Sequence, residues 1–270
     1  MLTSSFKTVL HRIEPILYER IEILSSSVAS SLLQAIRTKD RAFLDSSVRA
    51  LAVSGDLNVP SALPIFDACS QGIVSFSAWG TALNPSTYLP FICFPHLRRL
   101  ALISNTPRKR NYEGPFDSIP IGMLTMLTHI VLVSNFSYIA WDEIEWALKL
   151  EPAASVTAAP PALDAFQNLT HFAVARVAWR YISIIQKVAK KLRYFVILSQ
   201  PSSLVYPSII EGVRSLNDRR LVVVNMEDFL DWPQGDSRCV TTFWETAETL
   251  VSNGFISDQG HQWPIEYEEA

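Results

Sequence analysis

The chain has 270 residues, of which 49% are apolar, 11% aromatic and only 18% charged, with a formal net charge of −3. That balance excludes disorder over most of the length and supplies no cationic surface for nucleic acid or anionic lipid. Nine glycines, roughly half of ordinary usage, argue against glycine-rich phosphate loops and many tight hairpins.

Residues 1–17 carry Phe6, Val9, Leu10, Ile13 and Leu17 at helical spacing. They are expected to form an N-terminal capping helix, or the last helix of something upstream. Lys7, His11, Arg12 and Glu14 interrupt any signal-peptide core. No run of about 18 apolar residues occurs, so no membrane span is expected.

From residue 18 to 256 a loose L-x-x-L-x-L pattern recurs eight times. The copies start at Tyr18, Val48, Ile73, Leu97, Leu127, Leu169, Leu192 and Leu221, in steps of 30, 25, 24, 30, 42, 23 and 29 residues. Most steps fall in or just beyond the 20–29 residues of leucine-rich repeats. Leu97–Asn105 and Leu127–Asn135 also carry the asparagine of L-x-x-L-x-L-x-x-N. Its amide can satisfy backbone groups left where each coil turns. Asp56 and Gln200 stand at the same offset, whereas Thr81, Val177 and Phe229 do not supply equivalent chemistry.

Between these strands, helices are expected over 27–37, 61–70, 119–126, 141–150, 179–191, 207–216 and 238–254. The predicted fold is α/β, a leucine-rich-repeat-like solenoid of about eight strand-helix repeats with parallel strands on the concave face. An ordinary doubly wound sheet is the competing architecture. It is disfavoured by the regular spacing and by the lack of G-x-G-x-x-G or G-x-x-x-x-G-K-[ST] after any strand. No cofactor is expected.

Residues 105–118 and 151–166 read as exposed loops, the second an insertion that accounts for the step of 42. The basic run Pro107–Arg110 reads as a solvated loop, with a nuclear import signal as the alternative. The final helix is expected to cap the open end of the solenoid, and residues 257–270 to form a flexible acidic tail. Cys69, Cys93 and Cys239 are far apart and form no C-x-x-C pair. A reducing interior is therefore expected, the cytoplasm first and the nucleus second.

Phe6–Leu24, with its Pro15-Ile16-Leu17-Tyr18 step into the first strand, and the repeats Leu97–Asn105 and Leu127–Asn135 resemble the degenerate leucine-rich-repeat region of F-box proteins expanded in mushroom-forming fungi. The likeness spans nearly the whole chain. It implies the substrate-recognition region of a ubiquitin-ligase adaptor, with the F-box itself absent. Ubiquitin-ligase core proteins are then expected as partners only if an F-box lies upstream.

Strand alternation places one row from each repeat on the concave face. The first row reads Arg20, Ala50, Ser75, Arg99, His129, His171, Tyr194 and Val223, and Trp79 stands in the third row. Arg20, Trp79, Arg99, His129, His171 and Tyr194 are the candidate partner-binding residues, because arginine and aromatic side chains anchor protein interfaces. The partner is expected to be a protein on the concave face or loops, with no nucleic acid and no membrane. The bland alternative is that loops from neighbouring repeats fold over the small and apolar second and third rows.

His129 and His171 share a row about 5 Å apart, within metal-ligand reach, but no third ligand stands beside them. No metal is expected. Asp142 and Glu145 share a helical face beside Trp141 and Trp146, an arrangement better suited to a helix N-terminus than to acid catalysis. No G-x-S-x-G elbow occurs. The leading expectation is a non-enzymatic interaction module. The alternatives are an enzyme on an ordinary α/β fold and a truncated paralogue without selected function.

Overall fold

The computed structural model describes residues 12–54, 59–80, 94–104, 121–134, 166–175, 191–199, 206–216, 218–225, 238–253, 255–258 and 261–264. The fold is α/β. Eight strands follow one another through one sheet in chain order: β1 (Arg20–Ile23), β2 (Ala50–Ser54), β3 (Ser75–Gly80), β4 (Arg99–Ser104), β5 (His129–Ser134), β6 (His171–Ala175), β7 (Tyr194–Ser199) and β8 (Leu221–Asn225). Each of them begins within one L-x-x-L-x-L segment, and every described pairing within the sheet is parallel. Two compact units divide the chain, Met1–Thr106 with Arg110–Leu127, and Pro107–Lys109 with Thr128–Ala270.

In the first unit the pairing aligns Ile21, Leu51, Phe76 and Leu100 in one row and Ile23, Val53, Ala78 and Leu102 in another. All eight are buried. Val48, Ile73 and Leu97, the leading positions of their repeats, are buried as well. Burying such side chains stabilises by about 1.5–3 kcal/mol each, so the rows hold the strands in this register. Each strand enters in the same way. Successive N–H groups of Arg49 and Ala50 donate to the Glu19 carbonyl, those of Val74 and Ser75 to Arg49, and those of Arg98 and Arg99 to Val74.

Helices occupy the returns. α1 covers residues 12–18. Ile13, Ile16 and Leu17 lie at one-turn spacing on it and are exposed. α2 (Ser26–Ile36) is capped by the Ser25 hydroxyl, which accepts from the Val28 N–H. α3 (Arg41–Ser47) has no counterpart among the expected helices. Seven residues with only two buried positions produce no apolar period, though the Asp40 side chain accepts from Ala42 N–H as a start signal. Glu14 of α1 bonds Lys39 and raises the ammonium pKa, outweighing the opposing desolvation.

α4 (Val59–Cys69) contains Pro64, which removes one helical hydrogen bond. The buried stripe of Ala62, Ile65, Phe66 and Cys69 compensates. Phe66 meets Phe76 at 5.7 Å and Phe94 at 6.1 Å between ring centroids, both edge-on. Burial, reinforced by the Asp45 carboxylate, pushes the Cys69 thiol up to about 12 and leaves it unreactive. α5 (Ile121–Leu124) completes the described helices of this unit.

In the second unit Ile130, Phe172, Phe195 and Leu221 form one core row and Leu132, Val174, Ile197 and Val223 the next, all buried. The entry bonds repeat here: Thr170 and His171 donate to the Thr128 carbonyl, and Arg193 and Tyr194 to Thr170. β8 departs from the expected row. Leu221 lies opposite Phe195 rather than Leu192, so Val223 faces the core instead of standing level with Tyr194. The run Leu221–Val224 is apolar on both faces, so alternation alone does not choose its register.

α6 (Tyr206–Leu216) packs on β8, and α7 (Arg238–Asn253) packs on β7, β8 and β9 (Phe255–Asp258). β9 pairs antiparallel with β10 (His261–Pro264), so strand pairing extends into residues 257–270, the stretch expected to form a flexible acidic tail. No described helix is long and apolar enough to cross a membrane. Residues 105–118 and 141–150, all of 179–191 but Lys191 and all of 151–166 but Phe166 lie outside the described residues, as do the turn residues Asn105 and Asn135.

Gly72 joins α4 to β3. A Cβ there would stand 2.4 Å from the Val48 carbonyl oxygen and 2.5 Å from that of Asp45. Backbone cannot yield cheaply at that distance. Gly72→Ala is therefore expected to lower unfolding stability by about 1–3 kcal/mol, measured by urea denaturation; unchanged stability would show that the close approach is wrong.

Candidate functional site

The six candidate residues fall into two groups. In the first unit Arg20, Ala50, Ser75 and Arg99 are successive register partners on the face opposite the core row. Arg20 is exposed and Arg99 half-buried. Trp79 stands in β3 opposite Ile103 of β4, and its side chain lies outside the described residues. The row thus presents two guanidinium-bearing positions separated by two small residues.

In the second unit the pairing makes His129, His171 and Tyr194 successive partners. The two imidazoles stack with centroids 3.9 Å apart and planes within 9°. Tyr194 continues the stack at 4.7 Å from His171. The threonine before each histidine fixes its ring: Thr128 Oγ1 lies 2.8 Å from His129 Nδ1 and Thr170 Oγ1 lies 2.7 Å from His171 Nδ1. The shared Leu-Thr-His triplets at 127–129 and 169–171 are the sequence signature of this arrangement.

Helix α7 lies over this stack. Trp244 meets His129 at 5.4 Å and His171 at 5.1 Å, both steeply inclined. Glu248, one turn further along, places Oε1 3.0 Å from His171 Nε2. Trp244, Ala247 and Leu250 are buried and form the stripe that seats the helix. His171 is consequently only 8% exposed. Sequence reasoning recognised an amphipathic helix here but placed it at the end of the solenoid. The unread signal was Trp244 and Glu248 at i and i+4, complementary to an aromatic and imidazole row.

The two histidine rings face each other plane to plane, with Nδ1 of each bonded to its neighbouring threonine. Among the described residues no group of three or more His, Cys, Asp or Glu side chains has the geometry to hold a metal ion. The carboxylates Asp142, Glu143 and Glu145 lie outside the described residues.

The register of β8 sets Arg220 level with Tyr194, because Phe195 and Leu221 are partners. Arg220 does not join the stack. Its guanidinium grips Asp218 through Nε at 3.0 Å and Nη2 at 2.6 Å, and Nη1 donates to the Leu192 carbonyl at 3.4 Å. The clamp ties the foot of β8 to the entry of β7. Burial pushes the Asp218 carboxyl pKa up, but the side-chain and backbone hydrogen bonds and charge of Arg220 outweigh it and hold the pKa below its ordinary 3.8.

No protein-family model matches the chain, and no curated protein matches it.

A carboxyl with a depressed folded pKa contributes stability above its unfolded value and loses it as pH falls through the folded value. Asp218→Asn is therefore expected to be less stable than the wild type at pH 7, with the difference shrinking below the ordinary value of 3.8. Urea denaturation of both proteins between about pH 7 and about pH 2, well above and well below an ordinary carboxylate pKa, checks this; a difference that persists undiminished at the acid end would contradict it.

Proposed function

We propose that this protein is a non-enzymatic protein-interaction module, a leucine-rich-repeat-like solenoid resembling the substrate-recognition region of fungal F-box ubiquitin-ligase adaptors. The observation that carries this reading is the in-register row Arg20–Ala50–Ser75–Arg99. Parallel pairing repeats one backbone step and delivers one side chain per strand to a common face. The same pair of entry hydrogen bonds recurs at each of the described steps before β2, β3, β4, β6 and β7, which supports a repeat rather than a set of unrelated strands.

Such a row reads a partner along its length. Two arginines suit carboxylates or backbone carbonyls of an extended segment or helix, and the small residues between them allow close approach. In the second unit the equivalent row is occupied by α7, so the first unit provides the docking row. Coupling to a ubiquitin-ligase core belongs to this reading only where an F-box precedes the repeats.

The test compares wild type with Arg99→Glu in affinity capture from a lysate of a mushroom-forming fungus, read by mass spectrometry. A specific protein partner is expected, with recovery lowered about tenfold or more in the variant, as for an arginine hot spot. Equal recovery by both proteins would remove the docking row.

A further inference from the structure

A polar side-chain contact joins α7 to the stack beneath it. Glu248 Oε1 lies 3.0 Å from His171 Nε2. An ionised carboxylate only accepts, so Nε2 carries a hydrogen whenever this bond is made. The other nitrogen faces a hydroxyl, Thr170 Oγ1, at 2.7 Å. A hydroxyl can either donate or accept. With a neutral ring it donates to Nδ1. With a protonated ring it accepts from Nδ1–H and turns its own hydrogen to the Thr128 carbonyl, which lies 3.1 Å away. The imidazole therefore gains a second proton without losing either hydrogen bond.

We propose that His171 and Glu248 form a proton-tightened latch that holds α7 over the sheet face of the second unit. Protonation converts a neutral donor facing a carboxylate into an ion pair, the stronger of the two arrangements. Titratable groups that contact the His171 ring among the described residues include His129 from β5, Tyr194 from β7 and Glu248 from α7. His129 and His171 are too close to charge together at little cost, so the pair takes up its first proton as a coupled unit. Glu248 touches His171 and directs that proton to it. Tyr194 stacks on the opposite side of His171 from the other histidine in register order, and a π-face favours a cation.

The sign follows from linkage. The latched state binds the extra proton, so the latch tightens as pH falls through the imidazole range and loosens as pH rises above it. Loosening on the alkaline side uncovers His129, His171 and Tyr194. The latch acts within one chain and stands whether or not a partner binds the first unit.

The test is amide hydrogen exchange across residues 238–253 of the full chain at pH 6 and pH 8, values chosen to lie roughly either side of an ordinary imidazole pKa, each corrected for the chemical exchange rate. Protection of α7 in the wild type is expected to be about fivefold greater at the lower pH, because an ion pair replaces a neutral donor facing a carboxylate. Glu248→Gln keeps a carbonyl acceptor for Nε2–H but removes the charge, and Glu248 is partly exposed, so the variant retains the fold. Its corrected protection should be the same at both pH values. Equal protection of wild-type α7 at the two pH values, or a fivefold difference that survives in Glu248→Gln, would overturn the proposal.

Discussion

Everything in this molecule depends on parallel strands pairing without a slip. In a strand, neighbouring side chains point to opposite faces, so a shift by an odd number of residues exchanges core for surface. The rows Ile21–Leu51–Phe76–Leu100 and Ile130–Phe172–Phe195–Leu221 make such a shift costly in each unit, since it would expose their apolar side chains. Gly72 imposes a second constraint on the first unit, because the turn into β3 passes too close to the Asp45 and Val48 carbonyls for any side chain.

The two units use the face opposite the core differently. In the first, the row from Arg20 to Arg99 keeps charged and small residues that are exposed or half-buried. In the second, all five residues of β6 are buried, which no one-sided sheet would show. At His171 the cover is α7, whose Trp244 and Glu248 complement the two stacked imidazoles. The amphipathic stripe of that helix and the polar tip of His171 solve one problem together. A buried imidazole needs hydrogen-bond partners, and the helix and the preceding threonine supply them.

Strands and core rows were legible in the sequence because leucine-type residues recur at the positions that burial requires, such as Leu97, Leu100 and Leu102. The alignment of His129, His171 and Tyr194 was legible for the same reason. The register of β8 was not: Leu221–Val224 is apolar at every position, and the core could accept either phase. α3 was hidden by its length, about two capped turns with little to repeat. The seat of α7 was hidden for a different reason. Amphipathicity tells that a helix buries one face, but which surface receives it depends on complementarity between Trp244, Glu248 and residues more than seventy positions earlier.

The claim on which this account turns is that α7 closes over the histidine row. Nuclear Overhauser spectroscopy on the selectively labelled full chain measures it directly, through contacts between the Trp244 indole and the ring protons of His129 and His171. Ring centroids at 5.4 and 5.1 Å predict cross-peaks from the indole to both imidazoles. Cross-peaks to neither, with Trp244 still showing contacts elsewhere in the protein, would contradict it.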